Sequence, residues 1–331
     1  MRIHKKIQFF IFLIKLILLF FFGLMFYNQV FIKNDPDEFY LAFKSAFHSE
    51  NLIFFIIAFM LVTVNWGLEA AKFKLLISIA LPHSYKSSIK NVLIGIASGI
   101  ITPMQIGDYF GRIISVKKEK MPVSLVSTFL SSYSQNLTTL IFGFAGIVYY
   151  SLNILKIENS IIFPSVFIGF SMIVFFLLFY FNINIFSILL IKLGLKSIIE
   201  KYKLNYYFDI FTLNRKVLSR IFCLSLFRYS IFAVQFFLLL KFYGIKSGAI
   251  SLFSSISSIF LLQSGIPFPP IVNFIMKGEI SVMILKTLVP NEILILSISL
   301  CIWIINLVFP AFVGFILLIK TNVTKNLGYA D

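Results

Sequence analysis

The strongest constraint on this chain is the length of its apolar runs. Ile7 to Ile32, Leu52 to Trp66, Val123 to Tyr150, Ile161 to Phe181, Ile221 to Leu240 and Ile293 to Ile319 carry only Lys15 and Arg228 as charges. A helix crosses the bilayer core with ~20 such residues, and unbroken runs of this kind exclude a barrel of alternating ~10-residue strands. Only 13% of the 331 residues are charged, against ~25% in soluble domains, too few to clothe a water-facing surface. The expected fold is all-α: a polytopic membrane helix bundle of about six spans.

The charges between the runs set an orientation. Lys33 to Glu50 is net acidic, with Asp35, Asp37, Glu38 and Glu50, and reads as external. Lys72, Lys74, Lys86 and Lys90 collect on the opposite, inner side. Lys plus Arg number 29 against 13 Asp plus Glu, a formal charge of +16. In a membrane chain this excess follows the positive-inside rule and contact with anionic lipid, and nucleic acid is not an expected partner. The first run lacks a short apolar core and an A-x-A-like end, so it reads as an uncleaved span, with both termini cytoplasmic.

Two apolar stretches are too short to cross. Asn91 to Ile101 breaks at Thr102-Pro103 and is followed by Gly107, Asp108, Gly111, Arg112, Lys117, Lys118 and Lys120. Basic residues on both sides suggest a re-entrant hairpin entering from inside. Ala249 to Leu262 breaks at Gln263 to Pro270 and continues through Lys277, Gly278, Glu279 and Lys286, which suggests a second hairpin entering from outside. Ser98-Gly99-Ile100 and Ser264-Gly265-Ile266 stand at the two breaks, hinting at an inverted-topology repeat. The chain reads as one membrane domain, residues 1–331, with halves of about 1–181 and 217–320 joined by a basic connector, 182–216, lying partly on the membrane surface.

Ionisable groups at membrane depth cost at least ~2.5 kcal/mol each and usually face a cavity or a partner. Asp108 and Arg112 lie one helical turn apart. They form either a simple intrahelical ion pair or a phosphate site in which Arg112 and the amides of the broken helix hold an anion and Asp108 orients the guanidinium. Glu69 and Lys72 read as an interfacial pair and Trp66 as a belt residue. Arg228 either snorkels inward or meets a carboxylate such as Glu279 or Asp108.

Enzymatic and metal chemistry find little support. His4, His48 and His83 show no ligand spacing, and the carboxylates form no close pairs. Cys223 and Cys301 lie in apolar runs and read as buried small hydrophobes. Asn136-Leu137-Thr138 matches a glycosylation sequon but falls within a run, where it is no acceptor. No cofactor is expected.

Asn65 to Lys72 (N-W-G-L-E-A-A-K), Thr102 to Arg112 (T-P-x-x-x-G-D-x-x-G-R), Arg228 before Tyr229 and Gln235, and a Pro-rich second hairpin ending in Gly278-Glu279 resemble the lysylphosphatidylglycerol synthase transmembrane-region family. These are flippase-like integral membrane proteins related to the membrane half of the bacterial multiple-peptide-resistance factor. The resemblance covers roughly Ile7 to Ile319. It implies a bacterial inner-membrane protein that moves or presents a lipid or lipid-linked sugar, often beside a synthase. By position it assigns the family's hairpin residues to Pro103, Gly107, Asp108 and Arg112, and those of the second hairpin to Pro269 and Glu279. The chain departs from the family in Asp108, where Glu is usual, and in P-F-P-P-I-V-N-F, where a Gly-rich run is commoner. Fused members add a soluble aminoacyltransferase after the last span. Only Lys320 to Asp331 follows it here, so no aminoacyl-lipid synthesis is expected from this chain.

The leading expectation is a flippase-like protein for an anionic lipid or lipid-linked headgroup, with Thr102, Pro103, Gly107, Asp108, Arg112, Arg228, Pro269, Glu279 and Glu69 as substrate-binding residues. Its rival is a non-catalytic scaffold for a membrane glycosyltransferase or lipid-modifying enzyme. A third reading, an embedded transferase with Asp108 or Glu279 as base, is opposed by the sparse carboxylates.

Overall fold

The computed structural model describes residues 36–47, 50–100, 102, 105–264 and 270–326, and among these the chain is helical throughout, with no strand. Helix α1 (Pro36–Phe47) leads into α2 (Leu52–Ile77). Then follow α3 (Tyr85–Gly99), α4 (Ile106–Ile114), α5 (Met121–Asn153) and α6 (Asn159–Phe181). Three short helices, α7 (Asn184–Leu190), α8 (Lys196–Lys201) and α9 (Leu204–Leu213), form the connector and lead to α10 (Arg215–Phe242). Helices α11 (Ala249–Ser264) and α12 (Pro270–Leu285) precede α13 (Glu292–Trp303) and α14 (Phe309–Ile319), which a π-helical turn at Ile304–Val308 joins into one rod; α15 (Val323–Asn326) is a final short turn.

Among the described residues, four helical stretches are long and apolar enough to cross a membrane: Leu52–Ala80, Asn159–Phe181, Arg215–Phe242 and Glu292–Ile319. The protein is thus an all-α membrane protein. The expected span at Ile7 to Ile32 lies outside the described residues. Helix α5 is 33 residues long, yet Ser124, Ser127, Thr128, Ser131, Ser134 and Thr138 are buried along it. Thr128 and Thr138 donate to the carbonyls of Ser124 and Ser134 four residues back, which makes those hydroxyls cheap to bury. The polarity of α5 is turned inward.

Each interrupted stretch supplies two successive helices, α3 and α4 in the first and α11 and α12 in the second. In the first, α4 begins after Gln105, held at φ 56°, and packs back on α3. A Cβ on Gly107 would lie 2.1 Å from the Ser98 carbonyl oxygen, and one on Gly95 would lie 2.1 Å from Asp108 Oδ1. Only glycine lets the two backbones approach this closely. Pro103 and Pro269, at the two breaks, lie outside the described residues, as do His4 and His48.

Two buried apolar clusters divide the interior. One gathers Val62 of α2, Phe236 and Leu240 of α10, Ile256 of α11 and Ile298 of α13. The other gathers Phe73 and Leu76 of α2, Val92 of α3, Leu130 of α5, Ile221 of α10 and Phe315 of α14. Helices α2, α10 and the α13–α14 rod pass from one cluster to the other. Asn65 and Glu69, Ser225 and Arg228, and Asn306 fall at the crossover on each. A polar layer is therefore sandwiched between two apolar cores. On the outside, Phe163, Phe167, Phe170 and Phe175 of α6 are exposed, a face whose solvent is lipid.

Candidate functional site

The polar layer is organised by one carboxylate. The expected second span stops at Trp66, but α2 runs on to Ile77 and carries Glu69 and Lys72 inside the protein, 4% and 0% exposed. They pair with each other as expected, and both are buried among partners on other helices. Glu69 Oε2 lies 2.9 Å from Lys72 Nζ and 3.4 Å from Arg228 Nη1, while Oε1 accepts from Arg112 Nη1 at 3.0 Å and from the Ser131 hydroxyl at 3.0 Å. A carboxylate withdrawn from water is stable only with this density of donors.

Each cation is tied down again. Arg112 Nε donates to Asp108 Oδ1 at 2.8 Å, and its guanidinium lies 5.3 Å from the Phe73 ring centroid. Lys72 Nζ donates to Gln135 Oε1, the Ser225 hydroxyl and the Ser131 carbonyl at 3.3, 3.1 and 3.4 Å. Arg228 Nη1 reaches Gln135 Oε1 at 3.2 Å and the guanidinium stacks 4.8 Å from Trp66. Arg228 was expected either to snorkel inward or to meet a carboxylate such as Glu279 or Asp108; the structure gives a carboxylate, that of Glu69. Glu279 is exposed on α12 and makes no ion pair among the described residues. Trp66, read as a belt residue, lines both cavities described below, and its Nε1 donates to the Asn306 carbonyl at 3.0 Å. Asn65 Nδ2 adds a 3.0 Å bond to Asn306 Oδ1. That carbonyl sits in the π turn of the rod, where the helical ladder loosens and frees backbone groups.

The hairpin residues divide by role. Asp108 and Arg112 come together with Glu69, as an ion-pair chain across α2 and α4. Thr102 caps α4: its hydroxyl accepts from the Gly107 amide at 2.6 Å. That amide is therefore already taken, which removes it from the expected set of anion-binding amides.

Two adjoining cavities open against this network. One, of about 290 Å³, is lined by Glu69, Gln105, Asp108, Arg112, Ser132 and Gln135 among others. The second, of about 340 Å³, is lined by Asn65, Tyr229, Gln263, Lys277, Ser281 and Asn306 among others. Trp66, Gln135, Asn136 and Arg228 line both, so Arg228 stands in the wall they share. Its buried Nε and the buried Asn306 Nδ2 have no hydrogen-bond partner among the described residues. Lys277 has no carboxylate within ion-pair distance among the described residues. Three cations, Lys72, Arg112 and Arg228, face two carboxylates, Glu69 and Asp108, and Lys277 adds a fourth positive charge across the cavity.

Sequence reasoning gave no site role to Gln135, Asn136, Asn306 or Lys277. The signal was present: amides in the middle of long apolar runs are as anomalous at membrane depth as charges. Cys223, expected to be buried, is exposed, while Cys301 is buried. Among the described residues no cluster of His, Cys, Asp and Glu is suited to a metal.

Near the α2–α3 turn, His83 packs edge-on against Phe73, contacts Asn91 Nδ2 through Nε2 and faces Lys120 Nζ through Nδ1. Burial, followed by the nearby Lys120 charge, pulls its pKa down to about 4. Comparison with family models, curated proteins and solved structures finds no match to this chain.

Proposed function

We propose that the protein moves or presents an anionic lipid or lipid-linked headgroup across the membrane. One observation carries the reading: among the described residues, the cavity between the helices holds more positive than negative charge, with unpartnered donors on Arg228 and Asn306 and no carboxylate paired with Lys277. A phosphate or similar anion supplies the missing charge and accepts from these donors. The resemblance of the Thr102 to Arg112 element to flippase-like membrane proteins points the same way, and implies a bacterial inner membrane.

The test is translocation of headgroup-labelled phosphatidylglycerol in proteoliposomes. Arg228→Gln and Lys277→Gln are each expected to slow it at least tenfold relative to the native chain. Native rates in both variants, with native elution in detergent, overturn the headgroup site.

A second reading, a non-catalytic scaffold for a membrane glycosyltransferase or lipid-modifying enzyme, draws on the closed pairing of Arg112 with Asp108 and Glu69, which a purely structural network also explains. It predicts a co-purifying enzyme and no translocation by the isolated chain.

A further inference from the structure

A third cavity, of about 540 Å³, lies between α5, α6 and α11 and is lined almost entirely by apolar side chains, including Leu137, Leu140, Met172, Phe176, Leu261 and Leu262. Its two polar lining residues besides Tyr133 are Asn136 and Ser264, and both also line the cavity that holds Lys277 and Arg228. Asn136 lines all three cavities. It sits near the midpoint of α5, is exposed, and makes no hydrogen bond among the described residues. An amide at that depth facing only hydrocarbon loses its water without compensation. Met172, in the groove wall, is itself 48% exposed on the lipid-facing helix α6, so the groove reaches the surface where lipid chains lie.

We propose that this groove holds the hydrocarbon chain of the same amphiphile whose anionic headgroup occupies the polar cavity. The head-to-tail junction then lies at Asn136 and Ser264. This rests on the headgroup reading above and adds to it the seat of the chain and the route of entry: the lipid enters sideways between α6 and α11, with its head beside Arg228 and Lys277. The linings change in order, cationic at Arg228 and Lys277, neutral polar at the shared Asn136 and Ser264, apolar from Leu137 to Phe176. A free inorganic anion uses only the first of these linings, and an uncharged oil only the last. An amphiphile matches all three in order.

Phosphatidylglycerol with a diazirine on its acyl chain, carried in phosphatidylcholine vesicles containing the full chain, reads the groove directly. Photolysis is expected to label Met172, Phe176 or Leu261. Met172→Trp, which fills the groove, is expected to cut that label severalfold and to slow translocation. Phe167→Ala, on the outer face of α6, keeps both. Label confined to Phe163, Phe167 and Phe170, or unchanged in Met172→Trp, overturns the proposal. So does a groove that stays unlabelled because the apolar 7–32 segment fills it. The headgroup site is judged separately by Arg228→Gln and Lys277→Gln, so loss of the groove and loss of the transport reading give different patterns.

Discussion

Arg228 meets Glu69 through a single nitrogen, Nη1 to Oε2 at 3.4 Å, while the Trp66 ring covers the guanidinium at 4.8 Å and its buried Nε stays unpartnered. Arg112 differs: it spends Nε on Asp108 and Nη1 on Glu69. Two arginines share one carboxylate, yet only one is held on both sides. Arg228 is thus the guanidinium with capacity left for a ligand, and Arg112 the one that fixes the frame.

Glu69→Gln leaves Lys72, Arg112 and Arg228 facing one another without their common counter-ion. Breaking a buried ion pair in this way costs ~3–5 kcal/mol. Thermal unfolding in detergent is expected to fall accordingly, with Glu69→Asp intermediate. An unchanged midpoint for Glu69→Gln would show that the network contributes nothing to folding.

Gly107→Ala forces α3 and α4 apart, because its Cβ meets the Ser98 carbonyl at 2.1 Å. Overpacking of this kind costs ~1–3 kcal/mol. The same displacement moves Thr102 and Asp108, so translocation is expected to fall together with stability. Loss of stability alone separates the hairpin from the site.

Trp66→Phe removes the Nε1 hydrogen bond to the Asn306 carbonyl and retains an aromatic face under Arg228. The expected cost is ~0.5–1.5 kcal/mol. Trp303 is the second of two tryptophans, so fluorescence difference spectra isolate the Trp66 signal. Anionic lipid is expected to shift that signal in the native chain, and an unresponsive Trp66 places the headgroup elsewhere.

Lys277→Met replaces a cation that has no carboxylate partner among the described residues with an apolar side chain of similar length. Stability is expected to hold or rise while translocation falls, the trade-off of a functional charge kept against stability. A variant that is both less stable and fully active assigns Lys277 a structural role instead.

The pH dependence follows from His83. Its folded-state pKa is held at about 4, below the usual ~6.5, so the unfolded chain binds a proton more readily between those values. Its contribution to stability is full above about pH 6.5 and is lost as pH falls toward 4. Melting midpoints from pH 7.5 to 4.5 are expected to drop, and His83→Asn is expected to flatten the slope.

Helix content and the two broken stretches were legible because apolar run length and Pro-Gly breaks act locally. Asp108 and Arg112, four apart on one helix, were legible for the same reason. The role of Glu69 was not, because its partners come from α4, α5 and α10 and only packing unites them. The end of α2 was misplaced by the usual penalty on charge in lipid: Glu69 and Lys72 cancel one another at i,i+3, so the helix continues where an isolated charge would have stopped it. Asn136 and Asn306 escaped because neutral amides leave no trace in a count of charges.

The distribution of charge between α2 and α10 also bears on biogenesis. Helix α2 brings its own counter-ion into the bilayer, since Glu69 and Lys72 neutralise each other within a turn. Helix α10 has no acidic residue from Arg215 to Phe242, so Arg228 can be stabilised at depth only by a carboxylate already in place. Synthesis from the N-terminus delivers α2 first, and the nascent α10 finds its acceptor waiting. A circular permutant that made α10 before α2 would present the insertion machinery with an unpaired arginine.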